Sequence, residues 1–208
     1  MATLFQQSIN RSYTAGWPGE ISNDGPVRVK SARIVAGVAG TLPRVGRAFT
    51  YNATSGDMAQ PGIVSPQVNV GGNAQPFFGI LCNPKHYALY GSGSDPLAAS
   101  YDLPIGAEGE FCDMGMMFAE ICFIETLTKG TNSGAYGTPL CFIDGIVSGQ
   151  GGDVTNIGRL VAAVPDATTK DVTSAKYTYT IIPGARLINT TATLTAGQTA
   201  LTKIQLTQ

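Results

Sequence analysis

The chain has 208 residues, 13 of them basic and 14 acidic, giving a formal net charge of −1; its charged fraction of 13% compares with about 25% in ordinary soluble domains. So sparse and even a distribution makes no field that gathers phosphates, and no run of about 18 apolar residues is present to cross a bilayer, so neither nucleic acid nor a membrane is expected as a partner. A surface this poor in charge is weakly protected against association, which points to an outside covered in subunit contacts.

The opening Met1-Ala-Thr-Leu-Phe-Gln-Gln lacks the basic and apolar regions of a secretion signal, so a cytosolic product without disulfides is expected. Residues 1–25 are polar, contain Gly16, Gly19 and Gly25, and carry isolated large groups at Phe5, Tyr13 and the only tryptophan, Trp17. They read as an extended N-terminal arm. Two readings stand: a frayed terminus, or an arm whose partner-contact residues Phe5, Tyr13 and Trp17 dock on a neighbouring subunit.

Residues 26–175 read as the core, with 26 glycines and 12 prolines in the whole chain supplying turns between short strands. Strand-like runs fall at Val27 to Val35, Arg47 to Tyr51, Pro76 to Cys82, Gly109 to Cys112, Met117 to Ile124, Pro139 to Ile143 and Ile157 to Val164. Asp144-Gly145, before Ile146-Val147, predicts a two-residue hairpin turn. Thr54 to Ala74 and Tyr87 to Pro104 read as long loops carried by a rigid scaffold. Residues 176–208 form a threonine-rich C-terminal extension that alternates with period two in Tyr177 to Ile181, Thr191 to Thr195 and Leu201 to Leu206; its strands pack on the core or on a neighbour. No window has a convincing helical period. The expected fold is all-β: a single antiparallel β-barrel or jelly-roll-like sandwich with an N-terminal arm and a β-rich C-terminal extension.

Residues able to carry chemistry do not assemble into a familiar pattern. Cys82, Cys112, Cys122 and Cys141 lie in or beside apolar runs without Cys-x-x-Cys spacing and read as small buried hydrophobes rather than metal ligands. His86, the only histidine, has no partner at a metal-binding spacing, and the hydrolase, phosphate-loop and zinc-protease motifs are absent. The best acidic constellation is Glu108, Glu110 and Asp113, followed by Glu120 and Glu125. Glu108 and Glu110 share one strand face, which is more often a solvated edge than a glycosidase pair or a calcium site. Arg28, Lys30 and Arg33 read as a solvated strand face. The three Asn-x-Ser/Thr matches, at Asn10, Asn52 and Asn189, carry little weight without a secretion signal. No enzyme, cofactor or metal is expected.

Pro76-Phe-Phe-Gly-Ile-Leu, Leu103-Pro-Ile-Gly-Ala-Glu-Gly-Glu-Phe, Gly137-Thr-Pro-Leu-Cys-Phe-Ile-Asp-Gly and Ile157-Gly-Arg-Leu-Val, in that order, resemble the capsid cement, or decoration, proteins of tailed bacteriophages. The resemblance covers about residues 26–164, with Phe78, Gly79, Gly106, Gly137, Gly145 and Gly158 in matching positions. The chain departs from it in the polar arm, in Leu140-Cys141 where the family-like strand carries Val-Tyr, and in the extension after Lys176. The resemblance implies a structural protein, made in the host cytoplasm, that binds the outer surface of the virion's icosahedral shell and bridges subunits of the major capsid protein against internal pressure. It also implies a small cyclic homo-oligomer, a trimer ahead of a dimer. The rival from another class is a carbohydrate- or receptor-binding β module of a viral fibre, disfavoured by an aromatic content of 8% placed largely within strands. A glycosidase using Glu108 and Glu110 ranks third.

Overall fold

The computed structural model describes residues 16–22, 25–52, 66–72, 75–83, 91–92, 95–99, 102–191 and 194–207. In chain order the strands are β1 (Ile21–Ser22), β2 (Arg28–Ile34), β3 (Ala48–Tyr51), β4 (Gln67–Val70), β5 (Phe77–Leu81), β6 (Gly91–Ser92), β7 (Asp95–Ala99), β8 (Glu108–Phe123), β9 (Leu127–Lys129), β10 (Thr131–Asn132), β11 (Pro139–Ile146), β12 (Leu160–Val164), β13 (Thr173–Ser174), β14 (Tyr177–Leu187) and β15 (Gln198–Thr207). One short 3-10 turn, Val154–Asn156, precedes β12. The chain is therefore all-β, as expected.

Apart from the small β6–β7 pair, these strands form one large sheet in the order β10-β12-β11-β14-β15-β8-β2-β4-β3-β5. The sheet is mixed rather than purely antiparallel: β2 runs parallel to β4 and β12 parallel to β8. The path also returns on itself, because β8 pairs with β5 and with β12 in addition to its neighbours β2 and β15. Two circuits of hydrogen-bonded strands thus share β8, whose 16 residues give roughly 50 Å of extended chain. Its first half, Glu108 to Met114, pairs with β2; its second, Met114 to Phe123, pairs with β15 residue for residue.

Side-chain alternation along the shared strands sends neighbouring residues into two different cores. On β11, Leu140 and Phe142 join one cluster while Cys141 and Ile143 join the other; on β12, Leu160 and Ala162 part from Val161 and Ala163 in the same way. A strand buried on both faces needs an unbroken apolar run rather than a hydrophobic-polar alternation, and Leu140-Cys-Phe-Ile and Leu160-Val-Ala-Ala supply it. In the first circuit Phe111 of β8 meets Phe49 and Phe78 edge-to-face, at ring-centroid distances of 4.9 and 5.4 Å. In the second, Met117 and Ile121 of β8 share a cluster with Ile204 and Leu206 of β15 and Ile182 and Leu187 of β14.

Four expectations are corrected. Gly109 to Cys112 and Met117 to Ile124 are parts of one strand, because Gly115 carries the chain through a backbone at φ 136° without ending the pairing. Asp144-Gly145 is not a turn: the register shifts between Ile143 and Gly145, and Gly145 pairs with Thr178, so β11 passes through the dipeptide as a bulge. Asp144 is buried there, and its Oδ1 accepts the Gly72 N–H at 2.8 Å, which removes the solvent a turn residue would face. Thr54 to Ala74 holds a strand, β4, whose pairings are its only signal: four residues are too few for a readable period. Of the period-two run Thr191 to Thr195, Thr191, Leu194 and Thr195 lie outside any strand, and Ala192 and Thr193 fall outside the described residues.

The circuits meet where backbone approaches backbone. Gly158 donates to the Ile143 carbonyl at 2.8 Å and accepts from Ala48 N–H at 2.8 Å. At φ 83°, a Cβ on Gly158 would stand 2.6 Å from Val70 Cγ1 and 3.0 Å from the Ala48 oxygen. Gly149 has a similar φ of 78° with nothing within 4 Å of its Cβ position. Gly149→Ala therefore costs only the left-handed backbone, about 1–2 kcal/mol, whereas Gly158→Ala adds about 1–3 kcal/mol of overpacking. Calorimetry of both variants should show the lower thermal midpoint for Gly158→Ala; equal midpoints would sink this account of the junction.

Candidate functional site

Apart from the exposed Glu108, the acidic residues of β8 are already partnered. Asp113, almost fully buried, receives Arg28 through Nε to Oδ1 at 2.7 Å and through Nη2 to Oδ2 at 2.9 Å, and Lys30 Nζ lies 2.8 Å from Oδ2. Lys30 also sits over the Phe78 ring, 4.2 Å from its centroid. Two of the three basic residues expected on a solvated face thus converge on one buried carboxylate across the β2–β8 pairing. Burial alone would push the Asp113 carboxyl up, but the hydrogen bonds and charges of Arg28 and Lys30 prevail and hold it below the usual carboxylate range.

The remaining carboxylates serve the frame as well. Asn83 Nδ2 donates to Glu110, Arg159 Nη2 donates to Glu120 at 2.8 Å, and the Lys176 backbone N–H donates to Glu125 at 2.7 Å. Glu108 is exposed on the same strand face as Glu110. Two carboxylates side by side on one strand do not flank a sugar from opposite sides, which a glycosidase requires.

Other candidates fare similarly. The four cysteines are free thiols and all are buried. Burial raises each thiol, Cys112 to about 11 and Cys122 to about 12, so they stay protonated and inert as nucleophiles. His86 lies outside the described residues, and among the described residues no group of three or more potential ligands could hold a metal ion. A cleft of about 550 Å³ bordered by Val38, Asp144, Ile157 and Thr178 to Thr180 has one carboxylate, and that is the Asp144 already bonded to Gly72.

Of the arm residues, Phe5 and Tyr13 lie outside the described residues, while Trp17 is 49% exposed. Its backbone is fixed in a turn, with its carbonyl accepting Glu20 N–H at 2.9 Å and its N–H donating to Glu20 Oε2 at 3.1 Å. Beside it Gly19 N–H bonds to the Phe118 carbonyl at 2.8 Å, a Cβ on Gly16 would run into the Phe118 ring, and Ile21 pairs with Met117. The base of the arm is thereby anchored on β8 with the indole outward. Two exposed apolar residues escaped the sequence reading: Ile105, 56% exposed, and Tyr136, 68% exposed. The available signal was a bulky residue directly before a turn glycine, Gly106 or Gly137.

These features define a class: an all-β structural protein whose polar groups brace the frame and whose large exposed side chains face outward. The chain belongs to the phage structural cement protein family; the family model described as "Structural cement protein (E217 gp24/Pam3 gp6)" matches residues 5–207, nearly the whole chain. No curated protein matches it. It is a non-enzymatic structural component of a phage virion, associated with the capsid. The resemblance noted in the sequence is borne out.

Asp113→Asn removes the charge that Arg28 and Lys30 share, and urea denaturation at pH 7 should show a loss of about 1–3 kcal/mol. Because the folded-state pKa of Asp113 is depressed, its contribution is present above the unfolded carboxylate value and fades as pH falls through the folded one. The gap between wild type and variant should accordingly close below about pH 4. A gap that stays constant down to pH 2 would show that the effect is not electrostatic.

Proposed function

We propose that this protein binds the outer surface of an icosahedral phage shell and staples neighbouring major capsid subunits together against internal pressure. The observation that carries the reading is the doubly closed sheet: both circuits share one strand of 16 residues, so load entering at any strand of either circuit spreads into a continuous hydrogen-bonded body. Each circuit has the connectivity of a small barrel, and a barrel has no loose edge along which to peel. Family membership supplies the capsid, and the low charge of the chain favours extensive contact with it.

Stapling is a matter of multivalency. Several modest contacts made by one stiff body reinforce one another through effective concentration, so a protein need not bind any single subunit tightly to hold two together. Phe5, Tyr13 and Trp17 of the arm supply one such contact on a neighbour, and self-association into a small cyclic oligomer, a trimer ahead of a dimer, multiplies the points of attachment.

Quantitative mass spectrometry of purified particles should find this chain at an abundance comparable to that of the major shell protein. A few copies per particle would transfer the reading to a fibre or receptor-binding component. Deleting residues 1–15 together with Trp17→Ala should lower shell binding while the β circular-dichroism spectrum persists. Undiminished binding by that variant would dispose of the arm contact.

A further inference from the structure

Ile105 and Tyr136 are the most exposed large hydrophobic residues among those described, and they occupy the same position in two copies of one device. Ala107 N–H bonds to the Pro104 carbonyl at 3.1 Å and Thr138 N–H to the Ala135 carbonyl at 3.2 Å, closing four-residue turns. The third residue of each is a glycine with positive φ, Gly106 at 93° and Gly137 at 81°, the signature of a type II turn. Ile105 and Tyr136 are the second residues. That position asks only for φ near −60° and favours proline, so neither turn calls for a large apolar side chain held in water.

Both tips are held stiffly from below. Gly106 N–H bonds to the Ile34 carbonyl at 2.7 Å, and Leu103, just before the turn, is buried with its N–H on the Pro43 carbonyl at 2.8 Å. Gly137 N–H bonds to the Leu187 carbonyl at 2.8 Å, and the Thr138 hydroxyl donates to Ser133 Oγ and the Ala135 carbonyl at 3.0 and 2.8 Å. A backbone fixed in this way loses little freedom when the side chain it carries enters a pocket, which is the property of a binding anchor.

The two tips serve different parts of the sheet. The Ile105 turn leads directly into Glu108, where β8 begins, and is held by Ile34 of β2. The Tyr136 turn leads into β11 and is held by Leu187 of β14, while Asn132, shortly before it, pairs with Ala163 of β12. One tip thus belongs to the first circuit and the other to the second, with β8 common to both.

We infer that Ile105 and Tyr136 are the two anchors of the staple, each seated in an apolar pocket on a different shell subunit, with the shared sheet as the rigid spacer between them. This rests on the shell-stapling reading above. Arg33 and Glu108, cross-strand neighbours beside the Ile105 turn and both exposed, give that tip the polar surround common to anchors at protein interfaces.

The test uses expanded shells assembled without this protein and the full chain carrying Ile105→Ser, Tyr136→Ser, both, or the control Val29→Ser, whose exposed side chain lies on β2 away from either tip. All four should keep the wild-type thermal midpoint within a few degrees, since none of the altered side chains belongs to the buried core. Each tip variant should bind shells about tenfold more weakly or worse, the double variant about 100-fold, and the control like wild type. At saturating concentration either single variant, attached by one end, should no longer raise the temperature at which shells rupture. A double variant that binds within twofold of a wild type that does bind would overturn the anchors, as would a loss confined to one tip. Failure of the wild-type chain itself to bind shells would instead overturn the stapling reading.

Discussion

The constraint on which the structure depends is that β8 must satisfy partners along both of its edges. β2, β1 and β12 take up one succession of its residues and β5 and β15 another, which makes a single strand the common member of two closed circuits. Once both circuits close on it, the strands between them have no solvent face, and their residues must be apolar in unbroken series. The low charge of the sequence is in part the result: much of the chain that would be amphipathic in an open sheet is buried on both sides.

That constraint also explains which parts of the fold were legible in sequence. Doubly buried strands such as β5, β11 and β12 announce themselves as short apolar runs, and β15 as a period of two, because one of its faces is wet. What the sequence hides is pairing. Asp144-Gly145 has the composition of a turn and becomes a bulge because β14 pairs straight through it, Gly145 against Thr178, while Gly72 from a distant segment bonds to the carboxylate. Gly115 looks like a strand end and is a bend, since β2 and β15 hold the chain on either side of it. The Arg28–Lys30–Asp113 cluster joins residues more than 80 positions apart, beyond the reach of any local pattern. Ile105 and Tyr136 were visible as letters, but their exposure follows from the turns that hold them, and that is a property of tertiary structure.

Polar groups in this protein brace rather than react. Asp113 ties β2 to β8, Glu120 ties β8 to the approach of β12 through Arg159, and Glu125 receives the backbone at the start of β14. Each joins segments that the sheet already brings close, so their gain is in fixing register more than in holding the fold together. A frame of this kind suits membership of a family whose part in the virion is structural.

The four thiols have a further consequence. A phage particle is built inside a reducing cell and then released into aerated surroundings, a change of redox environment of the kind that oxidises accessible cysteines and can link neighbouring proteins at random. Here every thiol is sealed within the sheet and held protonated. Burial thereby shields the four cysteines from that oxidation. A coat that must last for long periods outside any cell, with no enzyme at hand to repair it, gains its durability from chemistry that never starts.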